Sequence, residues 1–239
     1  MQSEQRHFKR TQLFFWLFLA ILGAACRPDQ SSEEVVFRQS KIFVDFFVRY
    51  LAPEQQLRGQ ASFWEGVSRS NLQPVIPEGS ISFDGEEMEA KRLPGSQIRF
   101  SLTEQKTYKD SLAFRFRMPD GRYLQYELNM TPVRDFFIKG NISKSEGATF
   151  VINGGLMNEN EEIILMFTDE EFKATAITVK GPTSNIEISV SPEQLQALTP
   201  GPGQLYLVKK LQKQESHPNL ELTAAVEYYT DSRAIEVIE

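Results

Sequence analysis

From Lys41 onward the hydrophobic residues fall on every second position. Ile42, Val44, Phe46, Val48 and Tyr50 share one face of the chain, and Lys41, Asp45 and Arg49 share the other. A period of two over that length specifies a half-buried strand rather than a helix. The pattern, taken from Val35 to Tyr50, stops at Pro53 and resumes over Gln60 to Glu65. Phe43 and Phe47 interrupt the polar face and need a cover of their own, under a loop or a neighbouring domain. Ile81 to Phe83, the Asp84-Gly85 corner and Met88 read as a hairpin. Ile98, Phe100 and Leu102 repeat the alternation. The clearest local signal runs from Leu112 to Met130. Phe114, Phe116 and Met118 alternate with Arg115 and Arg117, Pro119-Asp120-Gly121 turns the chain, and Leu124, Tyr126, Leu128 and Met130 answer on the return strand. Proline presets φ and glycine accepts the left-handed corner, so this is an antiparallel hairpin with one wet face.

The pattern lapses over Lys139-Gly140-Asn141 and Ser143-Lys144-Ser145, which places a domain boundary near residue 138. Seven strands are expected after it: Phe150 to Asn153, Glu162 to Thr168, Thr175 to Val179, Ile186 to Val190, Leu205 to Val208, Leu220 to Tyr229 and Ile235 to Ile238. Ser191-Pro192-Glu193 combines a cap, a proline in the first turn and an acidic residue, which predicts one short helix over Pro192 to Leu198, ended by Pro200-Gly201-Pro202-Gly203. Seven short strands in about 100 residues are the signature of an immunoglobulin-like sandwich. The segment from Asn185 to Val208 resembles a recurring piece of bacterial secreted immunoglobulin-like modules, which supports a fold and no function. The expected class is therefore all-β: two tandem immunoglobulin-like antiparallel β-sandwiches, 35–138 and 139–239. A faint echo between Phe83-Asp84-Gly85 with Met88 and Ile152-Asn153-Gly154 with Met157 leaves open whether the two are related.

The start of the chain has a different build. Arg6, Lys9 and Arg10 precede an unbroken apolar run from Leu13 to Leu22, followed by Gly23, Ala24 and Ala25. This is the pattern of an export signal, and the run is too short for the ~20 residues a spanning helix needs. Leu22-Gly23-Ala24-Ala25-Cys26 resembles the cleavage box of bacterial lipoprotein precursors, although Gly23 stands where that box prefers a branched aliphatic. The resemblance implies removal of residues 1–25, acylation of Cys26 and a lipidated tether over 26–34. Ordinary secretory cleavage after Ala25 would cut the same bond. Acidic Glu33 and Glu34 soon after the cysteine are similar to a surface-export tag of some Gram-negative lipoproteins. The expected location is the cell envelope, at the outer membrane of a Gram-negative bacterium. Two or three acyl chains at ~0.8 kcal/mol per buried CH₂ would hold a domain there.

Composition narrows the chemistry. Removing residues 1–25 takes three of 26 bases and one of 32 acids, leaving 23 against 31 and a net charge near −8. That balance disfavours nucleic acid as a partner. Cys26 is the single cysteine, so no disulfide forms within the chain and, if acylated, no thiol nucleophile remains. His217 is the one histidine left, in a Ser-His-Pro-Asn turn that reads as a solvated loop. Zinc sites and Ser-His-Asp relays need more than that. Glu86-Glu87, Glu161-Glu162 and Asp169-Glu170-Glu171 are the candidate carboxylates for a hydrolase, and their positions at strand ends predict solvated charges. No metal site, cofactor or enzymatic activity is expected. Trp64, Tyr123 and Tyr126 are the candidate binding residues, because flat rings on a β face stack on sugars or bury at a protein interface. The reading that follows is a lipid-anchored structural or protein-interaction module of the envelope. A glycan-binding surface lipoprotein accessory to carbohydrate uptake is the alternative, and a carboxylate-dependent hydrolase a third.

Overall fold

Alternating sequence becomes strand almost throughout, because a pleated backbone sends successive side chains to opposite faces and one of those faces is buried. The computed structural model describes residues 40–239. The expected signal, Cys26, the expected tether and the first residues of the strand expected from Val35 lie outside the described residues. In chain order the strands are β1 (Lys41–Leu51), β2 (Gln56–Gly66), β3 (Leu72–Pro74), β4 (Ser82–Phe83), β5 (Glu86–Glu87), β6 (Glu89–Arg92), β7 (Ile98–Gln105), β8 (Ser111–Arg117), β9 (Tyr123–Asn129), β10 (Asp135–Ser143), β11 (Gly147–Asn153), β12 (Glu161–Asp169), β13 (Ala174–Lys180), β14 (Glu187–Val190), β15 (Gly201–His217), β16 (Leu220–Tyr229) and β17 (Arg233–Ile238). One helix of four residues, α1 (Pro192–Leu195), joins β14 to β15. Ser191 stands at its N-cap as expected, Gln194 completes a capping box by accepting from the Ser191 amide at 3.0 Å, and the helix is shorter than the span to Leu198.

In the first lobe β16, β1, β2, β7 and β6 lie side by side, facing a second sheet ordered β5-β4-β8-β9. Phenylalanines fill the space between them. Phe46 stacks on Phe114 with centroids 4.2 Å apart, and Phe63 meets Phe116 at 5.1 Å. Gly59 faces this core, and a Cβ there would run into the Phe83 ring. In the second lobe β10, β11 and β14 face β13, β12, β15 and β17 across a core of Phe150, Ile152, Ile163, Leu165, Phe167, Leu205 and Leu207. After a register shift between Lys139 and Ser143, β10 stays opposite β11 at Ser143–Gly147 and also pairs in parallel with β17 through Ile142 and Ser143. This order, with α1 before the long central strand, is that of an immunoglobulin-like sandwich.

The expected division at residue 138 falls inside β10, and Val133 already packs in the second core. The larger difference lies further along. β15 was expected to be a short strand, Leu205 to Val208, but runs for 17 residues. Its first part pairs with β12 and β17, and its second, Val208 to His217, pairs with β16. β16 then lies parallel to β1 for ten residues, from Ile42 opposite Leu220 to Leu51 opposite Tyr229. The second sandwich thus sends a hairpin into the first, where Leu211, Leu220, Leu222, Val226 and Tyr228 enter the first core. Each such side chain contributes ~1.5–3 kcal/mol, so the hairpin holds the two lobes together. The described residues form one compact unit. The parallel β1–β16 pair departs from a purely antiparallel arrangement because β16 arrives from the other lobe instead of following β1 through a turn.

Candidate functional site

Trp64, Tyr123 and Tyr126 do not assemble. Trp64 is half-buried on the outward side of β2, opposite Phe43 of β1 and Pro74 of β3. Tyr123 lies on β9 in the other sheet, 57 % exposed, with the Arg115 guanidinium 4.5 Å from its ring centroid. Tyr126 is buried in the first core beside Phe46, and its hydroxyl donates to Glu215 Oε1 at 3.0 Å. Burial and the Glu215 carboxylate push this phenol above its ordinary range. The three rings therefore form no common platform for a sugar. His217 is exposed, as its turn suggested, with Nε2 3.5 Å from Glu215.

The deepest polar feature lies in the second lobe, beside its junction with the first. Lys209, on the inward face of β15, is fully buried. Its ammonium donates to the carbonyls of Gly154 and Leu156 at 2.9 and 2.7 Å and stands 3.6 Å from Glu161 Oε2. Burial pulls the Lys209 pKa below its usual value, and Glu161 opposes that shift. Glu161, expected to be solvated at a strand end, is buried, and it accepts from the Asn158 amide at 3.1 Å. Above the pair lies a cleft of about 370 Å³, lined by Asp110, Asn129 and Thr131 of the first lobe and Leu156 and Asn158 of the second. Nearby Tyr108 packs between Tyr50 and Tyr228, with centroids 5.3 and 5.1 Å away. Burial first and Asp110 second drive its phenol well above the ordinary value. An ammonium closed on three sides by acceptors offers no lone pair to a substrate, so the pair works as a brace within the second lobe. Among the described residues no three His, Cys, Asp or Glu side chains converge as a metal site would require.

The outward face of the long sheet is a different kind of surface. One row across six strands reads Lys180 on β13, Glu162 on β12, Lys210 on β15, Glu227 on β16, Arg49 on β1 and Arg58 on β2, each opposite its neighbour in register. Lys210 lies 4.0 Å from Glu162 and 3.8 Å from Glu227, and Arg49 lies 3.3 Å from Glu227. The Arg49 guanidinium sits between the Phe47 and Tyr229 rings at 5.3 and 5.4 Å, with its Nε unpartnered. Two residues along, Thr178, Ile164, Val208, Tyr229 and Leu51 make a largely apolar row, and beyond it lie Met166 and Tyr206. Neither lobe's core covers this face. Its residues were invisible as a group in the sequence, because Glu162, Lys210 and Arg49 meet only through pairings between distant segments. The signal that was present, alternation of charge with apolar residues along each strand, marks each face without showing which faces adjoin.

The strand order makes the chain an all-β protein, with a second lobe of immunoglobulin-like topology. No protein-family model matches it, and no curated protein sequence matches it. Among solved structures it is similar to a cytokine receptor complex, at 13 % identity and a TM-score of 0.31 over 81 % of this chain and 95 % of that one. It is also similar to a tetra-tandem repeat from the extending region of a large adhesion protein, at 11 % and 0.25, covering 82 % of this chain and 50 % of that one. The tandem Ig repeats of Dlar align at 10 % and 0.24, covering 83 % and 97 %.

Proposed function

We propose that this chain is a cell-envelope protein, fastened to the membrane by acyl chains on Cys26, that acts by binding another macromolecule and not by catalysis. The observation that carries the binding role is the outward face just described, an uncovered surface that runs without a break across both lobes. Around it the polar groups that could do chemistry are engaged in holding the fold, Lys209 and Glu161 above all. Supporting the anchor are the apolar run and small-residue exit ahead of Cys26. The partner is a protein surface that carries both charges beside an apolar row, since the face itself is built that way. The test places a photoreactive amino acid in living cells at Ala225, on the outward face, and at Gln125, on the outer side of β9. Conjugates from position 225 and none from 125 are expected. Equal labelling from both positions, or none from either, overturns the binding role. Incorporation of labelled palmitate that is lost in Cys26→Ser tests the anchor separately, and a parent chain without acyl mass overturns it.

A further inference from the structure

The outward face is complementary to itself. We infer that it pairs with the same face of a second copy of this chain, about a two-fold axis that runs parallel to the strands between β15 and β16. This inference rests on the binding role proposed for the face and names its partner.

A rotation about such an axis reverses the order of strands and keeps each row opposite itself. In the charged row it sets Lys210 against the second copy's Glu227, and Glu162 against the second copy's Arg49, each contact occurring twice. The four central positions thus meet with opposite sign. In the next row it sets Tyr229, whose hydroxyl donates to Glu227, against Val208, itself only 5 % exposed, and Ile164 against Leu51. The outermost positions, Lys180 and Arg58, carry like charge. Both are exposed at the rim of the face, where water screens them from one another. The alternative axis, at right angles to the strands, would face every charge with its own copy. Of the two axes that set the charged row against itself, only the first is compatible with the charges, and it also matches the apolar row.

The size of the contact sets its strength. Six strands at about 4.8 Å and some six residues along each at about 3.3 Å give roughly 570 Å² per copy. That lies at the weak, reversible end of specific interfaces. Desolvating the four central charges offsets part of the apolar gain. Membrane-held copies of the chain would meet at high local concentration, which suits a contact of this strength.

The experiment uses the full chain in its membrane. Gln212 is exposed beside the axis, two residues beyond Lys210. Gln212→Cys treated with a short bismaleimide is expected to give a species of twice the mass, and Gln125→Cys on the opposite side is not. Lys210→Glu and Glu227→Lys, each added to Gln212→Cys, set like charges opposite one another twice and are expected to lower the doubled species roughly tenfold or more. Co-expressing the two variants restores opposite signs at both contacts, and the mixed pair is expected to recover. That recovery is not expected from variants that merely fail to fold. Ile164→Gln, which leaves the charges alone, is expected to weaken the doubled species without restoring it in any mixture. No doubled species from the parent, or no recovery on mixing, overturns self-pairing. If position 225 still captures a different protein, the binding role stands and only the identity of the partner falls.

Discussion

Lys209→Met breaks the buried pair that braces the second lobe beside its junction with the first, while keeping a side chain of similar length. It removes the hydrogen bonds to Gly154 O and Leu156 O and leaves Glu161 buried without a cation at 3.6 Å. Breaking a buried pair from one side costs about 3–5 kcal/mol, because the remaining charge keeps its desolvation penalty. For a chain of this size each kcal/mol moves the melting temperature by ~2–4 °C, so a fall of roughly 6–20 °C is expected. The double variant Lys209→Met with Glu161→Leu removes both charges, and its melting temperature is expected to recover at least half of the loss. Calorimetry and far-ultraviolet circular dichroism of parent, single and double variants provide the measurement. The parent is expected to melt in one transition, since β15 and β16 belong to both lobes. A shift of under ~3 °C in Lys209→Met would refute the role given to the pair, and so would a double variant less stable than the sum of the singles. Added salt is expected to change these differences little, because the pair lies away from solvent.

Gly59→Ala pushes a methyl into the Phe83 ring and is expected to cost about 1–3 kcal/mol, visible as a lower melting temperature. A change within error would mean the first core yields more easily than its packing implies. Phe172, at the tip of the β12–β13 hairpin, is 87 % exposed with φ of 63°. Phe172→Gly is expected to raise stability by about 1 kcal/mol through relief of the left-handed backbone, with Phe172→Ala showing no such gain. Equal effects from both would locate the cause elsewhere. Tyr108, Tyr126 and Tyr228 are held above their ordinary pKa by burial in the folded chain. Above about pH 10 the unfolded chain therefore releases protons that the folded chain retains, and stability falls as pH rises. Denaturant titrations from neutral to alkaline pH measure the slope, which Tyr108→Phe is expected to flatten. An unchanged slope would show that the phenol ionises freely in the native state.

Local structure was legible in this sequence and long-range structure was not, for a physical reason visible in single residues. The Asp84-Gly85 and Pro119-Asp120-Gly121 corners announce their hairpins because turn chemistry depends on neighbouring residues alone. Asp84 and Gly85 have φ of 50° and 96°, and Gly121 has 84°. The inward set Phe114, Phe116, Leu128 and Met130 follows from the same alternation. β15 shows the limit. Its inward residues Leu205, Leu207 and Leu211 obey one uninterrupted period of two, yet the first two belong to the second core and the last to the first. Alternation identifies a buried face without saying what buries it. The burial of Glu161 escaped notice likewise, because its partner Lys209 lies 48 residues away and only the β12–β15 pairing brings them together.

Lys209 and Lys210 show how one strand serves two surfaces. They are adjacent in sequence, so the pleat sends the first inward to Glu161 and the second outward to Glu162 and Glu227. A slip of β15 by one residue would exchange them. It would also turn Leu205, Leu207 and Leu211 to water, at ~1.5–3 kcal/mol each, and break the Lys209–Glu161 pair. The buried pair therefore does more than brace the second lobe. By fixing the register of β15 it aligns β12 with β16, and through them β13, β1 and β2, so that Glu162, Lys210, Glu227 and Arg49 fall in one row. The outward ladder inherits its order from the inward pair. A variant that loosens Lys209 should disturb the outward face even though no atom of Lys209 reaches it.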